Sequence, residues 1–238
     1  MARRTKEEAQ ETRNRILDAA EQVFRDKGVS GTSLEDIADR AEVTRGAIYW
    51  HFANKADLFL AMTDRVTLPM EEMVQQAAED AIADPLARLR DACVHALRKT
   101  AQEPRCRRVF EILCHRCEYV GELSAILDRH RQCRSSALAL IERALRNAVI
   151  RGQLPPHTDV RRVAIGLDAY FFGLIYTWLL DPASFDLAKE AERLVDIYLD
   201  GVAGRPAARP AARSGKDGAA RPRSTRRRAG ASPARGSK

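Results

Sequence analysis

No stretch of the 238-residue chain alternates apolar and polar positions long enough to make a β-strand, and no hairpin turn separates two such stretches. The motifs of common enzyme sites are missing too: there is no P-loop, no GxGxxG after a strand, no GxSxG and no HExxH. Catalysis is therefore not expected, and an enzyme acting on a hydrophobic ligand is the remote alternative. The longest apolar run, Ala169 to Leu180, has 12 residues and contains Gly173, short of the ~20 that cross a bilayer. A buried helix is expected there. With 45% hydrophobic, 31% charged and 6% aromatic residues, the composition excludes a collagen-like, wholly disordered or integral membrane chain.

Cysteines are few and odd in number: Cys93, Cys106, Cys114, Cys117 and Cys133. MARRTKEEAQ, at the N-terminus, has no apolar stretch of signal-peptide type. Reduced thiols and a cytoplasmic location are the expectation.

What is present begins with a lopsided charge. The formal net charge is +7, yet residues 204–238 hold 11 Lys/Arg against the single acid Asp217, leaving 29 Lys/Arg against 32 Asp/Glu in the rest. The part able to fold is thus slightly acidic, and any nucleic-acid role must rest on where individual bases sit. The segment from Gly204 has no Ile, Leu, Val, Met or aromatic residue, cannot bury a core and is expected to be disordered. It is either a solvated extension without a role or an arm whose Arg221, Arg223 and Arg226 to Arg228 add sequence-independent attraction to phosphates.

Helical signals fill the remainder, and the chain reads as all-α. Thr5 with Glu8 makes a capping box for a first helix that ends at Gly28. Thr32 or Ser33 caps a short second helix with Ile37, Ala38 and Ala41 inward, and Thr44 caps a short third through Phe52. Asn54 with Asp57 starts a fourth helix running toward residue 80, and Asp84 before Pro85 starts a fifth to about Ala101. Pro104 opens the next, to about Cys117. Another covers roughly Glu122 to Arg151 before Gly152, Thr158 or Asp159 caps one to Leu180, and Asp186 caps the last, to about Val202.

Two short helices joined by a tight turn are what a helix-turn-helix requires, and small Ala38 and Ala41 permit a close crossing. Thr44 to His51 (TRGAIYWH) then supplies groove chemistry. Arg45 can donate two hydrogen bonds to guanine, Gly46 lets backbone approach DNA, and Ala47 can touch a thymine methyl. Tyr49, Trp50 and His51 suit phosphates, as does Lys55 beside a helix N-terminus. Thr32 and Ser33 complete the candidate set. A surface helix in an ordinary bundle, with Tyr49 and Phe52 in the core, would share this spacing.

The run TSLEDIADRAEVTRGAIYWHFANKADLF at 32–59 resembles the DNA-binding domain of the TetR family of transcriptional repressors. TKEEAQETR at 5–13, RGAIYWHF and EILCHRCEY at 111–119 are similar to the branch typified by AcrR and TtgR, repressors of multidrug efflux operons. The resemblance covers about residues 1–202. It implies a helix-turn-helix domain at 1–55, a helical ligand-binding and dimerisation domain at 56–203, and a homodimer on a palindromic double-stranded operator, released by a small hydrophobic or aromatic effector. Independently, Val163 to Leu180 is apolar nearly all round, which calls for a second buried face.

The same resemblance implies an effector pocket at Leu89, Cys93, Ala96, Phe110, Leu113, Cys114, Ala137, Ile141, Phe171, Phe172, Ile175 and Tyr176. Phe110, Phe172 and Tyr176 stand where a relative has an amide, a carboxylate and a guanidinium, which implies a smaller, greasier pocket. No cofactor or metal is expected. The alternative is a thiol- or metal-responsive regulator using Cys114, Cys117 and Cys133 with His115 and His130, because helical spacing puts each Cys/His group on a shared face.

Overall fold

Side-chain caps decide where most of the helices begin. Ser33 accepts from the backbone N–H of Asp36 while the Asp36 carboxylate accepts from the Ser33 N–H, so α2 (Leu34–Ala41) starts on a complete capping box. Thr44 caps α3 (Arg45–His51), Asn54 caps α4 (Lys55–Ala77), and Asp84 with Pro85 opens α5 (Pro85–Gln102). Pro104 heads α6 (Pro104–His115). Asp159 caps α8 (Val160–Leu180) and Asp186 caps α9 (Leu187–Ala203).

The computed structural model describes residues 2–117 and 124–204, and the described residues form nine helices and no strand. The helix α7 is described from Ser124 to Ile150; the expected start at Glu122 and the tail beyond Gly204 lie outside the described residues. One expectation fails. The first helix, α1, runs Ala2–Lys27, so Thr5 sits inside it rather than capping it. Three helices end on glycine at positive φ: Gly28 after α1 and Gly152 after α7, as expected from sequence, and Gly204 after α9.

Two apolar clusters hold the helices together. The first joins Ile16, Leu17, Ala20 and Phe24 of α1 to Ile37 of α2, Ile48 of α3 and Leu58, Phe59 and Met62 of α4, and takes Ile112 from α6 and Ile126 from α7. Phe24 and Phe59 meet edge to face at its centre, 5.7 Å apart. The second gathers Leu89, Cys93 and Leu97 of α5, Val109 and Phe110 of α6, Ala144 and Leu145 of α7, Ile175 and Trp178 of α8 and Val195 and Leu199 of α9, with Val66 from α4. Thus α4 contributes to both clusters. Pro69 lies within α4 just beyond that crossing, where it offers no backbone N–H to the helix.

Candidate nucleic-acid interface and ligand cavity

The turn between α2 and α3 is tight enough to need a left-handed residue, and that residue is Glu42, at φ 54° and ψ 47°. Val43 N–H then donates to the Ala38 carbonyl at 3.0 Å. Ile48 and Phe52 face inward, which turns Arg45, Gly46, Tyr49 and Trp50 outward. Tyr49 is 48% and Trp50 73% exposed, so neither belongs to the core. Arg45 Nη2 donates to the Tyr49 hydroxyl at 3.1 Å with the guanidinium 5.5 Å from the ring centre. This pairing holds the Arg45 proton more firmly than usual and restricts the side chain before any contact with a base. A Cβ added at Gly46 would meet only the Thr44 hydroxyl, at 3.8 Å; nothing within the protein demands glycine there. Ala47 is partly covered, and its N–H is taken by the Thr44 cap at 3.2 Å.

The other candidates are less free. The ring of His51 lies edge-on to Trp50 at 4.5 Å, and burial first, then the Arg13 guanidinium, push its pKa below the ordinary value. Lys55 Nζ donates to the Thr32 carbonyl at 2.9 Å and reaches toward that of Ser30 at 3.5 Å. Ser33 is exposed, but its hydroxyl is engaged with Asp36. Thr32 is the least accessible of the candidates: it is 2% exposed, and its hydroxyl donates to the Gly28 carbonyl at 2.6 Å, closing the turn after α1.

Behind this surface, α1 is tied to α4 and α6 by charge. Glu21, 1% exposed, lies 3.1 Å from Arg108 and from Arg105 and 3.6 Å from Arg65. Its Oε2 accepts from Arg108, whereas Oε1 has ion-pair proximity without an aligned hydrogen bond. Asp18 accepts from Arg65 at 2.7 Å and from Arg105 at 2.8 Å. The Val29 N–H also donates to the Arg116 carbonyl at 2.9 Å, joining the turn after α1 to the end of α6.

A cavity of about 170 Å³ lies on the other side of α4 and α6. Eight of the residues expected there line it: Cys93, Ala96, Phe110, Leu113, Ala137, Ile141, Phe171 and Phe172. Four do not. Leu89 and Ile175 are fully buried in the core, Cys114 stands outside the lining, and Tyr176 is 46% exposed with its ring 4.7 Å from His115.

The reading from sequence also missed the polar wall. Asp64, Thr67 and Glu71 of α4, His130 and Arg134 of α7 and Asp168 of α8 all line the cavity, so it is less greasy than expected. A stripe at 60, 63, 64, 67, 70, 71 and 74 could have shown it, since this spacing places polar and apolar positions on one helical face. Burial and the nearby Arg134 lower the His130 pKa, and Asp168 opposes them.

The thiol- or metal-responsive alternative finds no support. Burial pushes the Cys93 thiol up to about 12 and those of Cys106 and Cys114 up to about 11, far from the range of reactive thiolates. Among the described residues no group of three or more His, Cys, Asp or Glu side chains could hold a metal ion.

Comparison with known proteins agrees with this arrangement. Residues 16–62 match the family of bacterial regulatory proteins, tetR family, and residues 84–203 match the C-terminal region of MAATS-type transcriptional repressors. The HTH-type transcriptional regulator TtgR of Pseudomonas putida is 43% identical over 217 residues, covering 88% of this chain and all of that protein. NalD, the secondary repressor of the MexAB-OprM multidrug efflux pump in Pseudomonas aeruginosa, superposes with a TM-score of 0.75 at 38% identity, over 82% of this chain and 97% of NalD. SmeT of Stenotrophomonas maltophilia, solved in complex with triclosan, gives 0.74 at 33% identity, over 80% and 90%. With its helix-turn-helix, its second helical bundle and these relatives, the chain belongs to the TetR family of transcriptional regulators.

Proposed function

We propose that the chain is a cytoplasmic, ligand-released repressor that binds a palindromic operator as a homodimer and controls a multidrug efflux operon, and that it is not an enzyme. The observation carrying this reading is the double facing of α4 and α6. On one side they present Asp64, Glu71, Phe110 and Leu113 to the cavity; on the other they hold α1 through Arg65, Arg105, Arg108 and Ile112. A molecule that spreads the cavity walls must move the elements on which α1 to α3 rest. Residues 1–55 would read the operator and 56–203 hold the effector and the second subunit.

Pairing of subunits is supported by α8 and α9. Ile165, Tyr176, Leu180 and Ile197 are about half exposed or more, a cost in water that a second copy removes. Among the described residues α8 is also the one helix long and apolar enough to cross a membrane, but Ala164, Leu167, Asp168 and Trp178 are already buried against the bundle. Two-fold pairing then sets two α3 helices against two half-sites of a palindrome. Release requires the effector to favour the DNA-incompetent state. Moving a 1:99 population to 99:1 takes ~5.5 kcal/mol of differential affinity.

Fluorescence anisotropy of the protein on DNA from upstream of its own gene, against scrambled DNA, tests the reading. The expected result is selective binding that triclosan or another small aromatic compound releases. A compound that saturates the cavity yet leaves operator affinity untouched contradicts the proposed coupling.

A further inference from the structure

Residues 1–55, the segment proposed to read the operator, hold ten Lys/Arg and ten Asp/Glu. Three of those cations are engaged within the protein: Lys27 Nζ pairs with Asp36 at 2.6 Å, Arg25 with Asp26 at 3.3 Å, and Lys55 bonds the Thr32 carbonyl. Residues 56–203 add 19 Lys/Arg against 22 Asp/Glu. A duplex carries one negative charge per about 1.7 Å of its axis, so the folded part meets DNA without net attraction. Residues 204–238 hold the opposite balance, 11 Lys/Arg against Asp217 alone. They also stand beyond the family pattern: the matched C-terminal region ends at residue 203, and all of TtgR is covered by 88% of this chain.

Where the tail starts decides what it can touch. Helix α9 runs antiparallel to α5, with Glu192 beside Arg98 and Asp196 beside Arg90. Gly204 therefore follows α9 at the Pro85 end of α5, whereas the Gln102 end leads to α6, where Arg105 holds Asp18 of α1. The 18 residues of α5 measure about 27 Å. Arg221 comes 17 residues after Gly204, a reach of up to about 55–60 Å. The run Arg221, Arg223 and Arg226 to Arg228 can thus pass the bundle and meet duplex beside the reading helices.

We propose that residues 204–238 are a second, sequence-independent DNA-binding element, in which Arg221, Arg223 and Arg226 to Arg228 neutralise phosphates of the duplex flanking the operator. Once α3 is seated, the tether holds these guanidiniums at high local concentration around the same duplex. Phosphate contacts carry no base information. The element therefore raises affinity for every duplex alike and leaves base preference to α3. A lipid surface fits less well, because residues 204–238 have no Leu, Ile, Val, Met or aromatic side chain to bury in it.

The test uses the full-length protein with Arg221, Arg223, Arg226, Arg227 and Arg228 all replaced by Gln, beside the native chain. Anisotropy titrations over a range of KCl concentrations employ the upstream operator DNA cut short, the same DNA with long flanks, and scrambled DNA of the longer length. At low salt the native chain is expected to bind the flanked operator about tenfold or more tightly than the variant, with a log–log salt slope steeper by about 2 or more. The difference should shrink on the short operator, and the operator-to-scrambled ratio should be the same for both proteins. Equal salt slopes on flanked DNA overturn the proposal, as does a loss of base preference in the variant. A variant that keeps its DNA slope but loses binding to vesicles of phosphatidylcholine and phosphatidylglycerol overturns it by assigning the tail to a membrane. If neither protein prefers the operator to scrambled DNA, the repressor reading fails, and the slopes on scrambled DNA still decide the tail.

Discussion

Arg108 Nη2 lies 3.1 Å from Glu21 Oε2, so a carboxylate buried in the first helix is held by a guanidinium of the sixth. Arg65 and Arg105 approach the same carboxylate, yet Arg108 alone gives it an aligned hydrogen bond. Arg108→Ala is expected to lower stability by about 1–3 kcal/mol, because the charge stays buried after its donor goes. Urea unfolding of Glu21→Ala, Arg108→Ala and the double variant measures the coupling; strictly additive losses would show that the two groups do not interact.

Arg45 and Lys55 should fail in different ways. Arg45→Ala is expected to cost about 1–3 kcal/mol of operator binding and relax preference at one position in each half-site. Lys55→Ala should weaken specific and scrambled DNA alike, and should also lower stability by about 0.5–1.5 kcal/mol, since its ammonium bonds the Thr32 carbonyl at 2.9 Å. Binding titrations on single-base operator variants, paired with thermal melts, check both. A change of base preference in Lys55→Ala alone would reverse the assignment.

Gly46 offers a cleaner separation of fold from function. A Cβ there would meet only the Thr44 hydroxyl, at an ordinary contact distance of 3.8 Å, so Gly46→Ala should leave stability unchanged or raise it by up to about 1 kcal/mol through helix propensity. Operator affinity should nevertheless fall, about tenfold or more, if the backbone approaches DNA closely there. Unaltered affinity would mean that DNA does not come near this turn of α3.

Acid should destabilise the protein through its histidines. Burial lowers the pKa values of His51 and His130 in the folded state, so unfolding takes up protons once the pH falls below the unfolded value of about 6.5. The stabilisation is fully present above that value and shrinks as pH drops further. Unfolding in urea at about pH 7.5 and about pH 5.5 should show the loss, and replacing both histidines by Gln should reduce it. An equal loss in that double variant would assign the effect to other groups.

Glu42 sits in the left-handed region that glycine adopts without strain. Glu42→Gly is accordingly expected to raise stability by about 1 kcal/mol with the turn unchanged. A thermal melt is sufficient to decide it.

Much of the fold was legible because caps are local signals. Ser33, Thr44, Asn54, Asp84, Asp159 and Asp186 each announce a helix within four residues of sequence. The start of α1 was not, since Thr5 with Glu8 satisfies a capping pattern that a helix running from Ala2 does not use. Arg45, Tyr49 and Trp50 could be read as outward from the burial of Ile48 and Phe52. By contrast, the inward turn of Thr32 and the engagement of Lys55 depend on one another across 23 positions, which no short motif encodes. The charged wall of the cavity escaped for a related reason: Asp168 lies within a helix that reads as apolar nearly all round, and Arg134, 34 residues earlier, gives no sign of being its partner.

Because α4 supplies Leu58, Phe59 and Met62 to one apolar cluster and Val66 to the other, the DNA-reading segment is not a detachable cassette. Transplanting residues 1–55 onto a relative's bundle would carry Glu21 away from Arg108 and Phe24 away from Phe59. A chimera that exchanges operator specificity should therefore be cut within the exposed α3 surface, leaving α1, α4 and α6 with the bundle on which they were selected.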